Sequence, residues 1–138
     1  MPDVLVDASA LVALLDADDA QHERAVDALK GLRDPLATVW PALTEAMHLV
    51  ADTRQGVDTL CDMIGDGAVT LLPLERAEFP RVKALMQQYR NLPMDFADAA
   101  LVRVAERERL TRILTFDKHF AVYRLPRRAR FTVLPLSR

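Results

Sequence analysis

Short blocks of consecutive apolar residues alternate along this chain with longer stretches whose apolar positions recur every three or four residues. Val4-Leu5-Val6, with two β-branched members, reads as a strand buried on both faces, the kind found in helix-covered parallel sheets. Ser9 to Leu15 follows at helical spacing, and Gln21 to Leu32 predicts a second helix, with Ala25, Leu29 and Leu32 on one face and Gly31 near its stop. Leu36-Ala37-Thr38-Val39 reads as a second strand, and Pro41 suits the first turn of a helix carrying Leu43, Met47, Leu49 and Val50. A helix over Val57 to Ile64 ends at the turn Gly65-Asp66-Gly67, and Val69-Thr70-Leu71-Leu72-Pro73-Leu74 reads as a strand ended by its proline.

The second half repeats the alternation. Ala77 to Tyr89 predicts a helix with Pro80 in its first turn and Val82, Leu85, Met86 and Tyr89 as its apolar face, broken by Asn91-Leu92-Pro93. Asp95 to Glu108 predicts another, with Ala99, Val102 and Ala105 inward and Arg103, Arg107 and Arg109 exposed. Arg112 to Thr115, carried on through Phe116 to Asp117, and Phe131 to Leu134 complete the strands. Strand-helix units in this order imply one α/β domain over residues 1–138, with a central parallel sheet, right-handed crossovers and helices on both faces.

Composition narrows the class. With 138 residues, 51% hydrophobic and 28% charged, the chain reads as an ordinary globular domain. It has no apolar run of the ~18 residues that a membrane span needs. The lone Cys61 allows no intramolecular disulfide and sits in a helical stretch, so it is expected to be a packing residue in a reducing cytoplasm. No leader is expected, because Asp3 and Asp7 interrupt the first apolar stretch and no basic segment precedes it. The net charge of −2 hides an asymmetry: residues 1–117 carry 12 Lys and Arg against 20 Asp and Glu, whereas residues 118–138 carry six basic residues and no acid. An acidic body with a basic tail fits a polyanionic partner.

The acids fall in a pattern that the alternation explains. Asp7 and Asp117 each close a strand of the expected parallel sheet, so both belong on its carboxyl edge, where open α/β sheets gather ligands. Asp95 and Asp98 open a helix that runs back from that edge, and Glu45 lies in the first turns of a helix that follows a strand. Each has an ordinary reading, because Asp caps helix N-termini well and acids suit a first turn. Their convergence on one rim is harder to explain that way: two carboxylates ~5 Å apart repel by about 3 kcal/mol at an effective dielectric near 20. A hard divalent cation such as Mg²⁺ or Mn²⁺ would relieve that repulsion and could neutralise a phosphodiester and activate water.

Four segments, Val6-Asp7-Ala8-Ser9-Ala10-Leu11, Glu45, Met94-Asp95-Phe96-Ala97-Asp98-Ala99 and Leu114-Thr115-Phe116-Asp117-Lys118-His119-Phe120, resemble the successive motifs of PIN-domain nucleases, most closely the VapC-like toxins of toxin-antitoxin pairs. The resemblance implies a PIN-like three-layer α/β/α sandwich and a Mg²⁺-dependent endoribonuclease, with Mn²⁺ as a substitute. It implies catalytic and metal-binding roles for Asp7, Glu45, Asp98 and Asp117, a further metal-side acid in Asp95, and supporting hydroxyls in Ser9 and Thr115. It also implies RNA as substrate, a homodimer, and a cognate antitoxin whose tail covers the acidic site. A PIN-type processing nuclease without an antitoxin and a non-catalytic RNA- or protein-binding module are the alternatives.

Other classes fit less well. A haloacid-type phosphohydrolase would carry a second Asp two residues after the first, where this chain has Ser9, and a dinucleotide-binding turn would need glycines before Gly31. His22, His48 and His119 show no spacing suited to zinc. Arg124, Arg127, Arg128 and Arg130 form a basic segment flanked by Tyr123, Leu125, Pro126 and Phe131, which predicts a loop pinned to the body that offers guanidinium groups to RNA phosphates.

Overall fold

A computed structural model describes residues 3–136. Its elements run β1 (Val4–Val6), α1 (Ala8–Leu15), α2 (His22–Gly31), β2 (Leu36–Thr38), α3 (Trp40–Leu49), α4 (Gly56–Gly65), β3 (Val69–Leu71), α5 (Phe79–Gln88), α6 (Phe96–Glu108), β4 (Arg112–Leu114), β5 (Arg124–Leu125), β6 (Ala129–Arg130) and β7 (Thr132–Leu134). Five strands form one sheet in the order β3-β2-β1-β4-β7, every neighbouring pair parallel. β5 and β6 form a separate two-stranded antiparallel ribbon. The sheet is flanked by helices on both sides, the α/β/α arrangement that the sequence pattern predicts.

Strand brevity and two-sided burial go together here. All three residues of β1 and of β2 are buried, so successive side chains serve opposite faces and neither face is wet. Leu5, Ala37 and Ile113 pack with Val82 and Leu85 of α5, with the inward face of α6, and with Phe120, Tyr123 and Phe131. Val4, Val6, Leu36 and Leu114 pack on the other side with Leu11 of α1 and Leu60 of α4. α3 joins the two cores, with Ala42 in one and Leu43 and Ala46 in the other.

Strand order decides where ligands can enter. β1 is central; the chain moves outward through β2 and β3 on one side, then returns to add β4 and β7 on the other. The reversal falls between β1 and β4, which are paired at Leu5 with Ile113 and at Val6 with Leu114, and a crevice opens outside their carboxyl ends.

Several expectations shift. The strand expected over residues 69–74 stops at Leu71, and the helix expected from Ala77 divides into a 3₁₀ turn, Arg76–Glu78, and α5, because Pro80 at the start of α5 lacks the N–H that would continue the first turn inward. The short β5-β6 ribbon was not foreseen. Cys61 is exposed rather than a packing residue, since on α4 it is Leu60 that points to the core. Arg103 and Arg107 are not free surface charges: both are mostly buried along their stems and pair with Glu78. No described helix is long and apolar enough to cross a membrane.

Candidate active site

Asp7 is the first residue beyond β1 and the N-cap of α1. Its Oδ1 accepts from the Ala10 N–H at 3.0 Å and from the Ser9 hydroxyl at 2.7 Å, and its Oδ2 accepts from the Thr115 hydroxyl at 2.5 Å. The two hydroxyls do more than hold one carboxylate. Ser9 Oγ accepts from the Phe116 N–H at 3.0 Å, and Thr115 Oγ1 accepts from the Asp117 N–H at 2.9 Å. The turn after β1 and the turn after β4 are therefore clipped together, 106 or more residues apart in sequence, by the two side chains expected to support the acids.

The other acids arrive on separate elements. Asp95 caps α6 by accepting from the Asp98 N–H at 2.8 Å, and Asp98 returns a longer bond of 3.3 Å from the Asp95 N–H. This reciprocal capping box fixes both acids at the mouth of the crevice. Asp117 accepts from the His119 N–H at 2.9 Å, and its Oδ1 lies 3.0 Å from His119 Nδ1. Glu45 projects from the exposed side of α3. Asp7, Glu45, Asp95, Asp98 and Asp117 all line one cleft of about 90 Å³, floored by Ala8, Ser9, Ala42, Ala97 and Leu101. Ordinary capping thus explains the local geometry of Asp7 and Asp95, but not why five acids on four elements share a crevice.

Their electrostatics record the crowding. Burial is the largest influence on Asp98, followed by the Asp95 charge, and together they push its carboxyl up to about 7. Burial likewise raises Asp7, overcoming the Thr115, Ser9 and Ala10 hydrogen bonds that would lower it, and Asp117 adds to the rise. Glu45 is raised by burial first, then by Asp95, Asp7 and Asp117. Among the described residues no ion pair joins any of these five acids to a lysine or arginine.

Such a cleft suits a hard divalent cation by its donors, which are carboxylates and hydroxyls without a sulfur ligand. No three of the described His, Cys, Asp and Glu side chains already stand as a ligand set. The acids are instead each tied locally, to hydroxyls, to cap N–H groups or to His119, so gathering them around a cation requires side-chain rotation. Burial and neighbouring carboxylates disfavour the charged forms of Asp7, Glu45 and Asp98, the kind of perturbation that gathers at functional sites.

The basic segment is elsewhere. Arg124, Arg127, Arg128 and Arg130 do not line the acid cleft. Arg127 borders a depression with Arg109, Leu110 and Thr111, just before β4 and thus toward the amino edge of the sheet, while Arg124 and Arg128 border one with Arg81 and Arg103 beside α6. The expected pinning is present, since Tyr123, Leu125 and Phe131 are buried, but Arg124 spends its guanidinium on the Ala121 and Val122 carbonyls. Arg127, Arg128 and Arg130 are exposed, the first two with left-handed backbone at φ 62° and 59°, a conformation that side chains resist. Tyr123, foreseen only as apolar pinning, is wholly buried, and burial followed by the charges of Asp98, Asp117 and Asp95 holds its proton more tightly than in free tyrosine.

Comparison with known proteins agrees with this geometry. The PIN domain family model matches residues 4–125, and the chain belongs to that family. It is 34% identical over 137 residues to Ribonuclease VapC26 of Mycobacterium tuberculosis, covering 96% of this chain and all of that protein. In fold it resembles the crystal structure of Mycobacterium tuberculosis VapC20, a sarcin-ricin-loop-cleaving toxin, with a TM-score of 0.80 at 17% identity over 87% of this chain and 94% of that one. A toxin-antitoxin complex from Klebsiella pneumoniae is also similar, with a TM-score of 0.65 at 20% identity over 84% of this chain and 88% of that one.

Proposed function

We propose that this protein is a divalent-cation-dependent endoribonuclease, the toxin of a toxin-antitoxin pair, in which Asp7, Glu45, Asp98 and Asp117 form the hydrolytic site. The observation that carries the reading is the convergence of these acids, with no lysine or arginine paired to them among the described residues, at the topological switch point of a PIN-family sheet. The ribonuclease name of the full-length relative supports RNA as substrate, and the toxin-antitoxin complex among the structural neighbours supports a protein inhibitor.

Asp7, Asp98 and Asp117 would hold Mg²⁺ or Mn²⁺, with Glu45 opposite on α3 and Asp95 at the mouth. Bound there, the cation supplies charge neutralisation for the phosphodiester and a water of lowered pKa. The chain's own work is positional. Ser9 and Thr115 keep Asp7 from turning away and bind its strand-end turn to that of Asp117. The Asp95–Asp98 capping box presents both carboxylates from the rigid start of α6, the longest helix. Small side chains at Ala8, Ala42 and Ala97 leave the floor low enough for a phosphate to approach.

The partners follow from surface chemistry. Phe79 and Phe96, their rings 5.7 Å apart and both substantially exposed, border an apolar groove with Val82 and Met86 that begins one residue from Asp95. An antitoxin segment seated there would have the acid cleft within reach. A homodimer belongs to the same reading, and Trp40 is the most exposed large apolar side chain of α3.

Incubation of the protein with total tRNA and ribosomal RNA, with and without Mg²⁺ or Mn²⁺, tests the reading. Cleavage that requires the cation and disappears in Asp117→Asn supports it; undiminished cleavage in EDTA, or cleavage retained by Asp117→Asn, overturns the assignment of the site. Co-purification with the product of the adjacent gene, and the mass of the protein in solution, test the antitoxin and the dimer.

A further inference from the structure

Six arginines gather around the β5-β6 ribbon, on ground that the hydrolytic site does not use. Leu125 and Pro126 form a wall between two depressions: Arg81, Arg103, Arg124 and Arg128 line one, and Arg109 and Arg127 line the other. Among the described residues Glu106 is the one acid that lines either, and it borders both. It accepts from Arg81 Nε at 3.0 Å and Nη2 at 2.6 Å and lies 3.6 Å from Arg103 Nη1, while Arg103 Nε donates to Glu78. These pairs hold two guanidinium groups in place without cancelling the excess of positive charge. Arg109, Arg127 and Arg128 make no ion pair or side-chain hydrogen bond among the described residues.

The backbone sharpens the pattern. Among the described residues four non-glycine positions have positive φ, and three of them are these unpaired arginines: Arg109 at 57°, Arg127 at 62° and Arg128 at 59°. Each stands where another residue type is favoured. Arg109 caps the C-terminus of α6, where glycine is usual in this conformation. Arg127 and Arg128 turn the chain between β5 and β6, where two consecutive positive-φ residues are ordinarily Asn-Gly. A side chain in left-handed backbone costs stability, and such cost collects at ligand clamps and other functional sites. What the chain gains at all three positions is an exposed, unpaired arginine.

We propose that the two depressions form a phosphate-binding site for RNA, separate from the acid cleft, with Arg109 and Arg127 holding one backbone phosphate and Arg81 and Arg128 another across the Leu125–Pro126 wall. This rests on the proposed ribonuclease function. The planar fork of arginine matches phosphate oxygens in bidentate fashion. The site lies beside the C-terminal half of α6 and the cleft at its start, so it grips the strand away from the bond that is cut. Phosphate contacts position a nucleic acid without reading its sequence. An acidic protein segment would carry the same sign of charge, but protein interfaces bury an apolar centre, and here Leu110 and Leu125 are already buried within the chain.

The test combines Arg109→Gly, Arg127→Gly and Arg128→Gly in the full chain and measures binding of a short single-stranded RNA of mixed sequence across a salt series in EDTA, where cation-dependent cleavage is silent. The slope of log affinity against log salt should fall by about 2, from three contacts at ~0.7 each. The melting temperature should stay at or above that of wild type, because glycine takes positive φ without steric cost. Gln55→Gly, at the fourth positive-φ position, should keep the wild-type slope. So should Arg33→Gln with Arg54→Gln, which removes two exposed charges that border neither depression. An unchanged slope in the triple variant, or an equal fall in the controls, overturns the site and leaves the ribonuclease reading standing. A marked fall in the melting temperature of the triple variant overturns it as well, by assigning the arginines to the fold. Weakened binding of poly-L-glutamate with unchanged RNA binding overturns it in favour of an acidic protein segment. Wild type that neither binds nor cleaves RNA overturns the ribonuclease reading, and this inference with it.

Discussion

Two clusters of charge lie on α6, and they are built on opposite logic. Near its C-terminal end, Glu78 accepts from Arg103 at 3.0 Å and from Arg107 at 2.8 Å, while Glu106 accepts from Arg81 at 2.6 Å. Burial alone would raise the Glu78 carboxyl, but the Glu75 N–H and the two guanidinium groups hold it below its ordinary value. At the N-terminal end the acids face one another, and Asp98 rises to about 7. One helix thus carries a cluster whose charges are satisfied within the chain and a cluster whose charges are not. The first ties α5 and the Arg76–Glu78 turn to α6; the second leaves carboxylates facing one another. The two clusters shift their carboxyls in opposite directions, and strongly perturbed groups gather at functional sites.

The largest effect should come from removing charge in the cleft. Asp117→Asn and Asp98→Asn are each expected to reduce RNA cleavage by roughly 10²- to 10³-fold, the scale of losing one charge-stabilising group. Their metal-free melting temperatures should stay level or rise, because carboxylate repulsion is relieved; a marked fall would make these acids structural and erase the contrast with Glu78. Glu78→Gln is expected to do the reverse. Leaving Arg103 and Arg107 without their carboxylate should destabilise the protein by about 2 kcal/mol, below the range for fully buried pairs because both arginines are partly solvated. Cleavage per folded molecule should not change, and assays normalised to folded protein by circular dichroism check this.

The pH dependence of stability should split the same way. Asp98 binds its proton more tightly folded than unfolded, so its contribution is full below the unfolded value of 3.8 and is lost as pH rises toward about 7. Glu78, held low, contributes above its unfolded value of 4.5 and loses that contribution as pH falls through its lowered folded value. Denaturant titrations of metal-free protein should therefore show a loss of stability toward neutral pH that Asp98→Asn flattens, and a loss in acid that Glu78→Gln flattens. Saturating Mn²⁺ should reverse the neutral loss by mass action. Identical pH profiles for wild type and Asp98→Asn would remove the cleft's distinction.

The smallest effect concerns the exposed basic segment. Replacing Arg127, Arg128 and Arg130 by Gln should lower the salt dependence of RNA binding by roughly two phosphate contacts, at ~0.7 per contact for single strands, and leave Mn²⁺ affinity unchanged. None of these arginines lines the cleft, and Arg127 and Arg128 lie beside the C-terminal half of α6, whereas the cleft lies at its start. An unchanged salt slope with a lost dimer or a lower melting temperature would assign the segment to the fold.

Much of the site was legible because it depends on chain direction. In a parallel sheet every strand ends on the same edge, so an acid that closes a strand, as Asp7 and Asp117 do, or opens a returning helix, as Asp95 and Asp98 do, is placed by element order alone. Ser9 and Thr115 were placed beside their acids for the same reason. The basic segment was harder, because residues 124–130 lie after the last helix, in a ribbon whose course no periodicity records. Cys61 shows the limit of local spacing: its helix was foreseen, but which side of it meets the core was decided by the neighbouring helices.

The sequence by itself determined the alternation of strands and helices and the edge on which the acids fall, since these follow from periodicity and chain direction. Only the tertiary structure decided which charges are satisfied. That Glu78 finds Arg103 and Arg107, 25 and 29 residues away, while Asp98 lies among the acids of the cleft, depends on how helices pack across a sheet. Electrostatic energy varies with distance and burial, and neither is a property of the order of residues along the chain.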